Sequence, residues 1–572
     1  DLPFDEFTIE QLAGDLLPKA TTEQLVATGF HRNTMINQEG GIDPEQFRIE
    51  SVIDRVNTTG AVWLGLTVGC CQCHDHKFDP LTQREYYQLF AFFNNCDEPT
   101  LEILSPADEA RRMQVREALA AVEGQLKQLD PTSADAIEKW ERGLTDETRH
   151  AVPKKVADIF LVAPNGRNGA QVRALEAAYR KNDLTRHVIG GLTHPLAAAF
   201  HAEAYATRAE LVKAREELTK KEPSAVTTMV VRERKAPRQT HILLGGDFTR
   251  PGVKVGPGLP AVLPAKGQAM TRLDFAKWLV DPANPLTARV AVNRWWGELF
   301  GLGIVETEND FGTQGTRPSL PELLDYLASE FVARGWSVKA LHRLIVMSAT
   351  YRQSSKARSE LDKVDARNRL LARQSRIRVN AEVVRDVCLA ASGLLSPKVG
   401  GPSVFPPQPD GVYKFTQIDK GWKPSPGDDR FRRGMYTYFW RSAPHPELVT
   451  FDAPDASVTC TRRNRSNTPL QALTLLNDAG FYEYAQALGG RIVREEPGDD
   501  AAKLRHAFRV CLVREPSERE LSRLESFLAR QRSDYAEKPE EAKAISPAAP
   551  ERAPWVMVAR VLLNLDEFIT RE

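Results

Sequence analysis

Thr82-Gln83-Arg84-Glu85-Tyr86-Tyr87-Gln88-Leu89-Phe90-Ala91-Phe92-Phe93 opens with the S/T-x-x-E spacing in which hydroxyl and carboxylate each satisfy a free backbone N–H of a first helical turn. The spacing predicts a helix start just ahead of the aromatic run. Thr8 and Gln11 repeat it upstream and predict a second start. Between the two, Ile49, Val52, Ile53, Val56, Val62, Trp63, Leu64 and Leu66 recur near helical spacing, a helix or broken pair ending around Gly65 to Gly69. The first hundred residues therefore read as helical.

Downstream, Leu119, Val122, Leu126 and Leu129, then Leu211, Ala214 and Leu218, follow heptad-like spacings. They predict an antiparallel helical hairpin whose elaborated tip is 151–201. At Pro223 the texture turns β-rich and Gly/Pro-punctuated, and from Thr271 helical patterns return: 273–280, 290–300, 321–334, 338–348, 381–394 and 470–488. The predicted fold class is mainly α and multi-domain. It comprises a helical N-terminal domain (1–99), a long helical hairpin insertion (100–222), a small β module or strap (223–265), a helical C-terminal domain (266–528), and a linker with a terminal helix (529–572).

Composition narrows the function classes. Of 572 residues, 42% are hydrophobic and 27% charged, an ordinary globular balance. Lys plus Arg and Asp plus Glu both number 76, so the basic excess usual in nucleic-acid binders is missing and no nucleic-acid partner is expected. No apolar run reaches spanning length, so no transmembrane segment is expected. The chain opens on Asp1-Leu2-Pro3 and reads as the interior of a longer gene product.

The stretch richest in chemistry is Val68-Gly69-Cys70-Cys71-Gln72-Cys73-His74-Asp75-His76-Lys77-Phe78-Asp79-Pro80. Cys70-x-x-Cys73-His74 has the spacing that attaches c-type haem, two thiols adding to the vinyl groups and the adjacent imidazole ligating iron. Only seven cysteines are present, and Cys70, Cys71 and Cys73 fall within four residues. Met35 and His31 are the nearest candidate distal ligands. Cys70-x-x-Cys73-x-x-His76 alternatively suits zinc, with His31 or Cys96 completing the set. A third reading makes the cysteines small buried hydrophobes. Glu50, Asp54 and Asn57 share a helical face, with Arg55 beside them and Asp75 and Asp79 after the motif, a polar pocket suited to propionates, calcium or a polar substrate. Arg462, Arg463 and Arg465, ahead of Thr468-Pro469 at a helix start, offer a second anion-binding group. Cys388, Cys460 and Cys511 leave room for a disulfide of undetermined pairing.

Several words of the sequence resemble the planctomycete-type cytochrome c-associated proteins: Gly29-Phe30-His31-Arg32-Asn33, Asp54-Arg55-Val56-Asn57-Thr58-Thr59, Trp63-Leu64-Gly65-Leu66-Thr67 and Cys70 to Pro80. The usual C-terminal partner domain is echoed in Asn293-Arg294-Trp295-Trp296, Asp310-Phe311-Gly312, Ser348-Ala349-Thr350-Tyr351-Arg352 and Asn467-Thr468-Pro469-Leu470-Gln471-Ala472-Leu473. The resemblance implies an exported or periplasmic protein, a separate cytochrome domain upstream, and a setting of polysaccharide degradation with a glycan partner. Within the 572 residues no upstream cytochrome domain is read, and 100–222 reads as a helical hairpin and not a recognisable sugar-binding module.

The leading expectation is an exported protein with one covalent haem c, a redox enzyme or electron-transfer component paired with another redox partner. One alternative is a zinc- or calcium-dependent hydrolase or lyase acting on glycans, in which His74, Asp75, His76 and Asp79 hold the ion. The other is a binding scaffold with a structural Cys/His motif.

Overall fold

The structure, a computed structural model, describes residues 1–36, 41–128, 137–138, 141–144, 154–185, 202–361, 363–412, 414 and 421–571. It is mainly helical, with short two-stranded ladders, and divides into two units, Asp1–Pro99 with Val230–Glu572, and Thr100–Met229. Among the described residues no helix is long and apolar enough to cross a membrane.

In the larger unit the helix Gln83–Asn94 begins where the sequence predicts, with Thr82 and Glu85 forming the reciprocal cap. Its aromatic side chains bury, and Phe92 stacks on Phe275 at a centroid distance of 4.9 Å. The helix Arg272–Leu279 thus shares one core with the N-terminal helices. Thr8 is different from its prediction. Its helix starts earlier, at Phe4 behind Pro3, and Thr8 is buried inside it, accepting a hydrogen bond from Trp63 Nε1 at 3.0 Å. A buried indole N–H needs an acceptor, and that demand outweighs the cap.

The helix Pro44–Thr59 is capped by the Asp43 side chain, passes into a wide turn over Gly60–Leu64, and stops at Gly65. Gly65 has φ +59°, and a Cβ there would lie 2.8 Å from both Phe311 and Val290, so conformation and space both require glycine. The carbonyls of Ala61 and Val62 accept from the Arg294 guanidinium, which satisfies part of that helix end.

The helices Thr287–Phe300, Pro321–Ala333 and Val338–Val346 build a second core, and Ala381–Ser392, Ala479–Glu495, Glu518–Glu537 and Ala553–Leu563 a third. The predicted helix over 470–488 is two, Pro469–Asn477 and Ala479–Glu495, because Asp478 leaves helical geometry to cap the second. The region predicted as linker is itself partly helical: Glu518–Glu537 runs past 528 and Pro539–Ile545 follows. Thr570–Arg571 pairs with Ile377–Arg378, a return contact that no local pattern announces.

The β-rich stretch is dispersed over three ladders. Arg232–Glu233 pairs with Cys96–Asp97, Thr240–Leu243 forms a hairpin with Pro251–Val255, and Val226–Met229 pairs with Thr100–Ile103 in the second unit. In that unit the long helices Pro106–Gln128 and Ala202–Lys221 pack together, joined by Arg112 and Arg116 on Glu222 at 3.1 and 2.8 Å. Leu129 and much of 151–201 lie outside the described residues; within 154–185, Val156, Ile159, Leu175 and Ala178 make a small core.

Candidate functional site

The cysteine motif occupies a short 3-10 turn, Val68–Gln72, and the loop after it. The turn is held from below by Tyr87, whose hydroxyl donates to the Gln72 carbonyl at 3.0 Å, and by Gln83, whose amide donates to the same carbonyl at 3.1 Å. Three neighbouring thiols have different fates. Cys71 is buried, its Sγ 3.6 Å from the Leu81 carbonyl, and burial pushes its thiol up to about 11. Cys70 and Cys73 are exposed, and all seven thiols of the chain are free. Cys73 lies over Gly246, where a Cβ would come within 2.8 Å of Sγ.

The polar residues of the loop divide in the same way. Asp75 Oδ1 accepts from the Gln83 N–H at 2.7 Å. Asp79 is buried, and its Oδ1 accepts from the Thr313 N–H and hydroxyl at 2.7 and 2.9 Å. His76 Nδ1 accepts from the Asp79 N–H at 2.8 Å, so that nitrogen carries no proton and its 3.5 Å approach to Asp79 Oδ2 is not an ion pair. His74 is exposed, with Nδ1 2.6 Å from the Asp75 carbonyl. A carbonyl only accepts, so Nδ1 bears the proton and the lone pair of Nε2 points away from that bond. This donor set fits covalent haem: two accessible thiols three residues apart and an adjacent imidazole with its tautomer fixed through Nδ1. For a bare ion the loop offers less, because Asp79 is held by Thr313 and both Asp75 Oδ1 and His76 Nδ1 accept backbone hydrogen bonds; among the described residues no group of three or more His, Cys, Asp or Glu is arranged to hold a metal.

The other predicted residues do not form one pocket. His31, Met35, Asp54 and Arg55 line a separate cavity of about 300 Å³, with Arg441 and Thr459 from the far end of the sequence. Helix Pro44–Thr59 separates this cavity from the motif: Asp54, Arg55 and Thr58 line it, while Asn57 abuts Gly69 and accepts from the Tyr86 hydroxyl at 3.2 Å. Arg55 is buried, paired with Glu98, and donates to the His31 carbonyl at 2.8 Å. His31 is buried, and burial, with Arg272 and Arg55 nearby, holds its pKa well below the usual imidazole value. Glu50 stays outside, exposed, accepting from Gln46.

The arginine group belongs to a third place. Arg463 pairs with Glu382 at 2.6 Å and Arg465 with Glu298 at 2.8 Å. Beside them sits a residue the sequence reading missed, the buried Glu308. Burial raises its carboxyl to about 7, against the opposing pull of Arg462 and Arg294. A carboxyl raised from 4.5 in the unfolded chain to about 7 binds its proton more tightly when folded, so its contribution falls away as pH rises through that window. Glu308→Gln is therefore expected to gain stability relative to the parent as pH goes from about 5 to about 8, read from urea midpoints; a difference independent of pH would contradict this.

Fold and site together define a mainly helical, multi-domain protein with an exposed C-x-x-C-H turn in its N-terminal part. Residues 1–98 match the family model PSCyt2, a protein of unknown function (DUF1549), and residues 271–528 match PSD1, a protein of unknown function (DUF1553). The chain thus carries the planctomycete-type pair of domains. No curated protein and no solved structure matches it.

Proposed function

We propose that the chain is an exported c-type haem protein, with haem joined to Cys70 and Cys73 and ligated by His74, serving as an oxidoreductase or electron-transfer component. The observation that supports this reading is the division of labour within the motif. Cys71 and Asp79 are buried, and Asp75 Oδ1 and His76 Nδ1 accept backbone hydrogen bonds, while Cys70, Cys73 and His74 are exposed. Haem bound there would supply one-electron chemistry. Asp75, through its carbonyl, would hold the imidazole ring and its tautomer. On the planctomycete resemblance, polysaccharide degradation is the setting and a cytochrome domain the electron partner.

The test is expression with the cytochrome maturation machinery, followed by an alkaline pyridine spectrum and acid–acetone extraction. One non-extractable haem per chain is the expected result. Colourless protein from cells that mature a control cytochrome would overturn the proposal.

A further inference from the structure

The cavity on the other side of helix Pro44–Thr59 has its own chemistry. One wall carries the Arg441 guanidinium, which donates to the Asn33 and Thr34 carbonyls at 3.3 and 3.4 Å and has no carboxylate partner among the described residues. Another carries Asp54, which has no hydrogen-bond or ion-pair partner among the described residues; burial raises its carboxyl, with Arg55 and Arg441 opposing. An exposed cation and a half-buried acid thus line one cavity with no ion pair between them. The lining also includes the hydroxyls of Thr58 and Thr459, hydrogen-bonded to each other. His31 also lines the cavity: its Nε2 is 3.1 Å from the Leu12 carbonyl and so carries the proton, and its Nδ1 is buried. The rim residue Ala456 has φ +59°, a conformation that costs a non-glycine residue energy and gathers at ligand-binding loops.

We infer that this cavity binds a small carboxylate bearing a second hydrogen-bond donor, a hydroxy- or amino-carboxylate, whose carboxylate meets Arg441 and whose hydroxyl or ammonium meets Asp54. The volume of about 300 Å³ is at the lower end for small-molecule sites, which suits a ligand of metabolite size. His31, Asp54 and Thr58 come from the N-terminal matched region and Arg441 and Thr459 from the C-terminal one, so the site is complete only where both are joined. It is independent of the cysteine motif and needs no haem.

The full chain would be titrated calorimetrically with gluconate, glutamine and hexanoate, probes of similar length that present a hydroxyl, an ammonium and neither. Gluconate or glutamine is expected to bind at least about ten-fold more tightly than hexanoate, and which of the two binds tells hydroxyl from ammonium. Asp54→Asn should remove that preference and Arg441→Gln should abolish binding of all three. Should Arg441→Gln fail to fold, the near-isosteric Asp54→Asn decides: a lost preference supports the site and an intact one overturns it. No heat from gluconate or glutamine up to about 50 mM, or hexanoate binding equally well, also overturns it.

Discussion

Methionine in place of Arg272 is expected to destabilise the larger unit by about 3–5 kcal/mol, the usual result of removing one partner from a buried ionic group. The Arg272 side chain is 0% exposed, and it donates to the Leu12 carbonyl at 2.7 Å, to Asp15 at 2.9 Å and to Glu233 at 3.1 Å. Asp15 is buried as well, and its second oxygen already lacks a partner. Without the guanidinium, a carboxylate would remain in the interior with little besides the Glu233 N–H to hold it. Arg272 lies in the C-terminal matched region and Leu12 and Asp15 in the N-terminal one, so the substitution strikes where the two are bolted together. Urea denaturation of both proteins checks the claim. The double variant Arg272→Met/Asp15→Asn should regain part of the loss, whereas a midpoint change worth less than about 1 kcal/mol in the single variant would contradict it.

Valine at Gly312 is expected to be the next most damaging change, by about 1–3 kcal/mol. A Cβ at Gly312 would lie 2.3 Å from Asp79 Oδ2 and 2.7 Å from Oδ1. The carboxylate has no easy retreat, because Oδ1 is fixed by the Thr313 N–H and hydroxyl. The Asp79 backbone N–H in turn holds His76, so displacement of one residue would be felt through the cysteine loop. We expect both a lower denaturation midpoint and less haem retained per chain after maturation. A variant with both unchanged would show that the clamp does not position the loop.

These clamps explain what could and could not be read from the amino-acid order. Helices were legible where local signals are strong: the Thr82–Glu85 cap, the Thr468-Pro469 start, the apolar spacing of Ala381–Ser392. Thr8 misled because a hydroxyl four residues into a helix and one at its cap have the same local sequence; the indole of Trp63, fifty-five positions away, selects between them. The broken helix at Asp478 and the pairing of Thr570–Arg571 with Ile377–Arg378 are likewise decided by partners that no window includes.

At the site, the C-x-x-C-H spacing was visible because its chemistry depends on neighbours in sequence. The polar pocket was not, since residues grouped by helical periodicity were assumed to share a destination. Asp54 faces a cavity, Asn57 accepts from Tyr86 beside the cysteine turn, and Glu50 stays outside with Gln46. Arg441 and Thr459 lie about four hundred positions from Asp54, in segments with no periodic pattern, and only folding brings them to one cavity. Glu308 had no sequence signal at all, because a carboxyl raised by burial is defined by its surroundings.

The most direct test of the central claim is a peptide map of exported, maturation-competent protein, digested after alkylation under native conditions. If Cys70 and Cys73 are the attachment points, the peptide spanning 69–83 will carry the mass of one haem through those two sulfurs, with Cys71 unmodified until the chain is unfolded. Finding Cys70 and Cys73 alkylated and free of haem, or the haem linked through Cys71, would contradict the account.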